Sequence, residues 1–167
     1  ELCRITDNRG KTSVYMKGRP EYVRFRNCTI SAPLQVGVDV ANLATNAAGD
    51  LLYPYFLNTI VYNHATNIFS TNATVLSAIL ANAFSNCASP QLTAGVAGNV
   101  AGDPKFVAPA RGDYHLKSIS PCAGTGTTNV FSFYKSDLEG VPYGQTVNMG
   151  CYETLLKVGN GTFITIR

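Results

Sequence analysis

Reactive side chains in this 167-residue chain are few and scattered: ten carboxylates, two histidines and five cysteines. Acid–base chemistry on a bound substrate needs at least two such groups aimed at one point. The carboxylates (Glu1, Asp7, Glu21, Asp39, Asp50, Asp103, Asp113, Asp137, Glu139 and Glu153) occur singly, with no Asp-x-Asp cluster. His115, between Tyr114 and Leu116, reads as an outward surface residue; His64 follows Tyr62-Asn63 at a strand end, and its role stays open. No nucleophile elbow, P-loop or dinucleotide fingerprint occurs. The sequence therefore assigns no catalytic residue.

The cysteines, at 3, 28, 87, 122 and 151, have no CxxC spacing, and with two histidines they do not form a zinc pattern. Dispersed cysteines in an Asn-rich chain favour structural disulfides and an oxidising compartment. An odd count leaves one thiol over. Charged residues are only 14% of the chain, against about 25% on average, and Asn, Thr, Ser and Gly fill the gap. Such a surface suits an extracellular module. A net charge of +3 without a Lys/Arg cluster argues against nucleic acid. The longest apolar stretch, 73–84, is interrupted by Thr74, Ser77 and Asn82, so no membrane span is expected. Glu1-Leu2-Cys3-Arg4 carries no secretory leader and is expected to open a fragment or a processed chain.

The elements that must position these groups are legible through a repeat. Phe25-Arg26-Asn27-Cys28-Thr29-Ile30 returns as Phe56-Leu57-Asn58-Thr59-Ile60-Val61, then as Phe84-Ser85-Asn86-Cys87-Ala88, at intervals of 31 and 28 residues. Fixed-period similarity implies stacked units. Asn tolerates the left-handed conformation at a strand end, and stacked Asn side chains form ladders. The reading is a parallel solenoid with a Phe column inside. Strands are expected over 13–16, 21–26, 35–40, 55–62 and 162–166. Val75, Leu76, Ile79, Leu80, Ala83 and Phe84 have helical spacing with Thr71 or Asn72 as N-cap, but short strands turning at Asn82 are preferred because Phe84 belongs to the repeat. Residues 91–102 and 123–129 read as loop. With Phe25 and Phe56 inward, alternation places Arg24, Arg26 and Tyr55 outward on neighbouring strands, an Arg fork beside a Tyr ring that suits an acidic glycan. Three N-x-S/T sequons, at Asn27, Asn72 and Asn160, are read as accidental.

Turn-centred phrases crowd the C-terminal third: Gly102-Asp103-Pro104-Lys105-Phe106, Asp113-Tyr114-His115-Leu116, Ser120-Pro121-Cys122, Asp137-Leu138-Glu139-Gly140 and Asn148-Met149-Gly150-Cys151-Tyr152-Glu153. Together they resemble the closing segment of secreted right-handed parallel β-helix proteins of the pectate-lyase-like group. Asn148 stands where the pattern has Asp, and Pro142-Tyr143-Gly144 where it has Pro-Arg. The resemblance implies an all-β fold: coils over 1–98, a loop-rich cap over 99–153 and a tail strand over 154–167. Asp103, Asp113 and Asp137 then serve turns, Phe106 and Tyr152 serve the cap's packing, and Tyr114 and Leu116 plug the solenoid's open end. Cys replaces small residues of the pattern at 122 and 151, which pairs those two. Cys28–Cys87 is the second expected disulfide, with Cys3 unpaired.

Members of this group often act on or bind acidic polysaccharides. Lyases use an Arg or Lys base and commonly Ca²⁺ held by several carboxylates; hydrolases use paired carboxylates. With no carboxylate cluster, the expectation is a non-catalytic extracellular or cell-surface module, structural or glycan-binding, without cofactor. The alternatives are a polysaccharide lyase or hydrolase, with Ca²⁺ for the lyase alone, and a fibre subunit whose tail strand adds to a neighbour's exposed edge.

Overall fold

The computed structural model describes residues 2–6, 10–33, 35–130 and 135–153. The expected tail strand over 154–167 and the sequon at Asn160 lie outside them. The elements run β1 (Arg4–Thr6), β2 (Thr12–Gly18), β3 (Arg24–Arg26), β4 (Thr29–Ser31), β5 (Val36–Leu43), β6 (Tyr55–Leu57), β7 (Ile60–Tyr62), β8 (Thr66–Phe69), α1 (Ala73–Asn82), β9 (Phe84–Ser85), β10 (Phe106–Ala108) and β11 (Asp113–Leu116). Strands dominate. Every third strand pairs, giving three parallel sheets ordered β1-β4-β7, β2-β5-β8 and β3-β6-β9, while β10 and β11 form an antiparallel hairpin.

The repeat sets the register. Phe25 pairs with Phe56, and Phe56 with Phe84. Their rings stack at 4.8 and 4.4 Å with interplanar angles of 6° and 12°. Phe56 is fully buried among Ile30, Val38, Val40, Val61 and Ile68. Burying such a side chain contributes about 2–3 kcal/mol. The chain then turns at Asn27, Asn58 and Asn86, all with φ 48°. Asn58 Nδ2 donates to Asn27 Oδ1 at 3.3 Å, one step of the expected ladder. Leu2, one strand below Asn27, has the same left-handed turn (φ 46°) but no amide to offer. Asn27 Nδ2 is accordingly buried without a hydrogen-bond acceptor.

The segment around 75–84 is a helix, not the short strands preferred from sequence. Asn72 Oδ1 accepts from the amides of Thr74 and Val75 at 2.9 and 3.2 Å, which caps α1. Val75 and Ile79 enter the Phe56 core, with Leu76 and Leu80 against it. The helix stops at Asn82, so Phe84 is free to start β9. Helix and repeat coexist.

Beyond the last strands, side-chain amides take the place of backbone partners. Gln91 Oε1 accepts from Ile68 N at 2.6 Å, and Gln91 Nε2 donates to Ile68 O at 2.8 Å. Asn99 does the same for Cys87 N at 2.9 Å and Phe84 O at 3.1 Å.

Residues 104–152 build a second core. Phe106, Tyr114, Leu116, Cys122, Met149, Cys151 and Tyr152 pack with Ile60 and Ala88. Ile30 and Val61 belong instead to the inner core, so by alternation Ile60 faces out of its sheet. Tyr114 and Leu116 thus cover the outer side of the β4–β7 sheet; they do not plug an end of the inner core, where α1 and Leu92 pack. The three pattern aspartates do serve turns. Asp103 accepts from Lys105 N at 2.8 Å, Asp113 from His115 N at 3.1 Å, and Asp137 from Glu139 N and Val141 N at 2.9 and 2.7 Å. Asp137 Oδ2 also accepts from Glu153 N at 2.8 Å. Asn148, in place of Asp, accepts from Gly124 N at 2.8 Å and donates to Tyr152 O at 3.1 Å. A carboxylate cannot make the second bond.

Neither expected disulfide is present in the structure, where no two cysteine sulfurs are bonded. The register explains the first case. Thr29 pairs with Ile60 and Ile60 with Ala88, so Thr59 lies between Cys28 and Cys87. Cys28 N donates to Thr59 Oγ1 at 3.4 Å, and Thr59 N to Cys87 Sγ at 3.4 Å. Two strand spacings are about 9.6 Å, beyond the roughly 7 Å that a disulfide spans. In the second case Cys122 O is bonded by Met149 N at 3.0 Å, and Gly150 (φ 92°) turns the chain before Cys151, whose amide is held by Thr29 Oγ1 at 3.2 Å.

Candidate functional site

Three surface constellations stand on this frame. The first is the expected glycan edge. Arg24 and Tyr55 are register partners on β3 and β6, and Arg24 Cζ lies 6.0 Å from the Tyr55 ring centroid. This is a cation–π contact, which favours keeping the charge over the ring. The Arg24 side chain also donates to the carbonyls of Glu21 and Val23. Tyr22, two residues earlier in the chain, is 83% exposed. Arg19, paired with Glu21 at 3.0 Å, adds a second guanidinium to the same turn. Arg26 pairs in register with Leu57, two residues further along the same face. Leu57 is covered by Val147, with Tyr55 and Tyr143 packed against them. The structure thus joins Arg24 with Tyr55 and places Arg26 beside an apolar patch.

The second surrounds His64. Its Nε2 lies 3.0 Å from Ser13 Oγ, and its Nδ1 lies 3.3 Å from Asn67 Oδ1. Ser13, Gly37 and Asn67 occupy equivalent positions on β2, β5 and β8, as the flanking pairs Thr12–Val36–Thr66 and Val14–Val38–Ile68 require. The imidazole reaches across the middle position because Gly37 has no side chain. A Cβ there would meet Asn67 O at 2.5 Å and His64 Nδ1 at 2.9 Å. Burial lowers the His64 pKa, against its hydrogen bonds to Asn67 and the Tyr62 backbone, which favours the neutral ring. The connectivity is that of a hydroxyl, a base and an orienting amide. The same bonds tie three strands together. His64 and Asn67 border an open cleft of about 590 Å³ with Pro33, Tyr62 and Pro90.

The third lies on the seam between β1 and the C-terminal segment, a cleft of about 220 Å³. Arg4 donates to Tyr152 Oη at 3.1 Å and Gly112 O at 3.2 Å, and lies 5.9 Å from the Tyr114 ring. His115 stacks on Tyr152 at 4.4 Å and sits between two carboxylates, Nδ1 at 2.8 Å from Asp113 and Nε2 at 3.2 Å from Glu139. Burial pulls Asp113 upward; the hydrogen bonds from the His115 side chain and amide outweigh it and hold the carboxyl below its ordinary range. His115, expected as a lone surface residue, is the hub of this cluster.

Among the described residues no group of three or more His, Cys, Asp or Glu side chains is placed to hold a metal ion. No described helix is long and apolar enough to cross a membrane. Sequence reasoning did not reach Ser13, Arg4 or Glu139. Their partners are 51, 148 and 24 residues away, and no local pattern links them. No protein-family model, curated protein or solved structure matches this chain.

Proposed function

We propose that this chain forms terminal coils of a right-handed parallel β-helix, extracellular or on a cell surface, and binds acidic polysaccharide without chemically altering it. The strand order supports the coil reading: each sheet gains one strand for every three along the chain, always parallel and in register. The observation that carries the binding function is the Arg24 guanidinium held over the Tyr55 ring, with the exposed Tyr22 two residues before Arg24 in the chain. A uronate offers a carboxylate to a guanidinium fork and an apolar sugar face to an aromatic ring. The Arg24 side chain is already held by the carbonyls of Glu21 and Val23, so it loses little entropy on association.

Calorimetric titration with oligogalacturonate and with a neutral oligosaccharide of equal length tests this. Binding of the acidic ligand alone is expected, weakened about tenfold by Arg24→Ala, equivalent to a contribution of about 1.4 kcal/mol, and weakened by added salt. Equal affinity for both ligands, or no loss in Arg24→Ala and Tyr55→Ala, would refute it. Unsaturated sugar products in the same mixtures would return the lyase reading.

A further inference from the structure

One pair of thiols differs from the other three. Arg4 on β1 pairs with Thr29 on β4, so Cys3 and Cys28 are register neighbours on adjacent strands. Their separation is one strand spacing, about 4.8 Å, inside the Cα range that disulfides adopt. Their sulfurs are 3.5 Å apart, with nothing between them. Cys3 is partly exposed, whereas Cys28 is fully buried.

We propose that Cys3 and Cys28 are a disulfide-forming pair that staples β1 to the strand above it. The oxidant is a small-molecule disulfide of the glutathione class. The Cys3 thiolate attacks one of its sulfurs, breaking that S–S bond and releasing one small thiolate. Cys28 attacks the Cys3 sulfur of the mixed disulfide and passes its thiol proton to the second small thiolate as that thiolate leaves. The protein loses two thiol protons and two electrons, and one small disulfide becomes two thiols. The division of labour suits the chemistry. The Cys28 contact holds Cys3 down at about 6, although burial opposes it, so Cys3 is the available nucleophile. The same contact, with burial, pushes Cys28 up, as suits a residue that reacts second. Burial pushes Cys87 and Cys122 up to about 12 and Cys151 to about 11, leaving them inert.

The staple acts at a short strand. β1 has three residues and carries Arg4, whose guanidinium reaches Tyr152 and Gly112 in the C-terminal segment. Closing the bond would pin the site where the column and that segment meet.

The test is intact-mass counting of alkylated thiols under denaturing conditions after equilibration with oxidised glutathione. Three of the five cysteines are expected to alkylate, with no glutathione retained. Cleavage after Arg4 and Arg26 and before Asp39 should join peptide 1–4 to peptide 27–38, which excludes Cys87. Cys3→Ser should leave its four cysteines alkylatable. The oxidised wild-type chain should melt several degrees above its reduced form, a difference that Cys3→Ser abolishes. Five alkylated thiols, a glutathione retained on Cys3, a link to any other cysteine, or equal melting of both forms would overturn the proposal.

Discussion

The column over 24–100 and the segment over 104–153 stabilise themselves in opposite ways. In the column one contact is copied: Phe25 on Phe56 on Phe84, with asparagine turns two residues later. In the described part of the C-terminal segment the aspartate turns recur, but no strand is stacked on an equivalent strand. Its aromatic core is enclosed by chain whose amides are satisfied by single side chains, chiefly Asp137, Asn148 and Glu153. Repetition lets backbone pair with backbone, so side chains are left to pack. Without it, beyond the β10–β11 hairpin, buried carboxylates and amides take part of the place of strand partners.

That contrast can be broken by mutation. The largest effect is expected from Phe56→Ala, at about 4 kcal/mol, because a fully buried ring is removed from between two others. Denaturant unfolding should show it as a loss affecting the whole column. Asp137→Ala comes next, at about 3 kcal/mol, since three backbone amides lose their acceptor. Hydrogen exchange should rise across 104–153 while the amides of β6 and β7 stay protected. Equal exchange in both regions would mean they unfold as one unit, and the comparison would fail.

The smallest effect concerns Glu153. Burial first, and the neighbouring Asp137 charge, push its carboxyl up to about 7 against a hydrogen bond from Asn148 N. Its folded pKa is above its unfolded one, so protonation stabilises the fold. That contribution is complete below about pH 4.5 and is lost as pH rises through about 7. The stability of the C-terminal segment against denaturant should therefore fall across that window. Glu153→Gln should flatten the dependence. An unchanged slope in that variant would place the titrating group elsewhere.

Legibility follows the same divide. Phe25, Phe56 and Phe84, and the asparagines after them, were readable because stacking turns sequence spacing into contact. The same alignment held the cysteine answer. Placing Asn27-Cys28, Asn58-Thr59 and Asn86-Cys87 above one another sets Thr59 between the two sulfurs. Sequence alone favours strands over α1 because Phe84 belongs to the repeat, whereas α1 ends two residues before it. The phrases of the C-terminal segment showed which aspartates make turns. They gave no sign of which surface the segment covers, because that depends on Ile60 and Ala88, far away in the chain. His64 with Ser13, and Arg4 with Tyr152, were out of reach for the same reason.

Gln91 has a consequence for how such molecules can associate. By engaging both the N–H and the C=O of Ile68, it leaves that residue nothing to offer an incoming strand. Asn99 blocks Phe84 and Cys87 in the same manner. Stacking of a second molecule onto this end would have to displace two amides first. The column is polar as a building block: any filament it joined would be terminated at this face and could lengthen only from the opposite one.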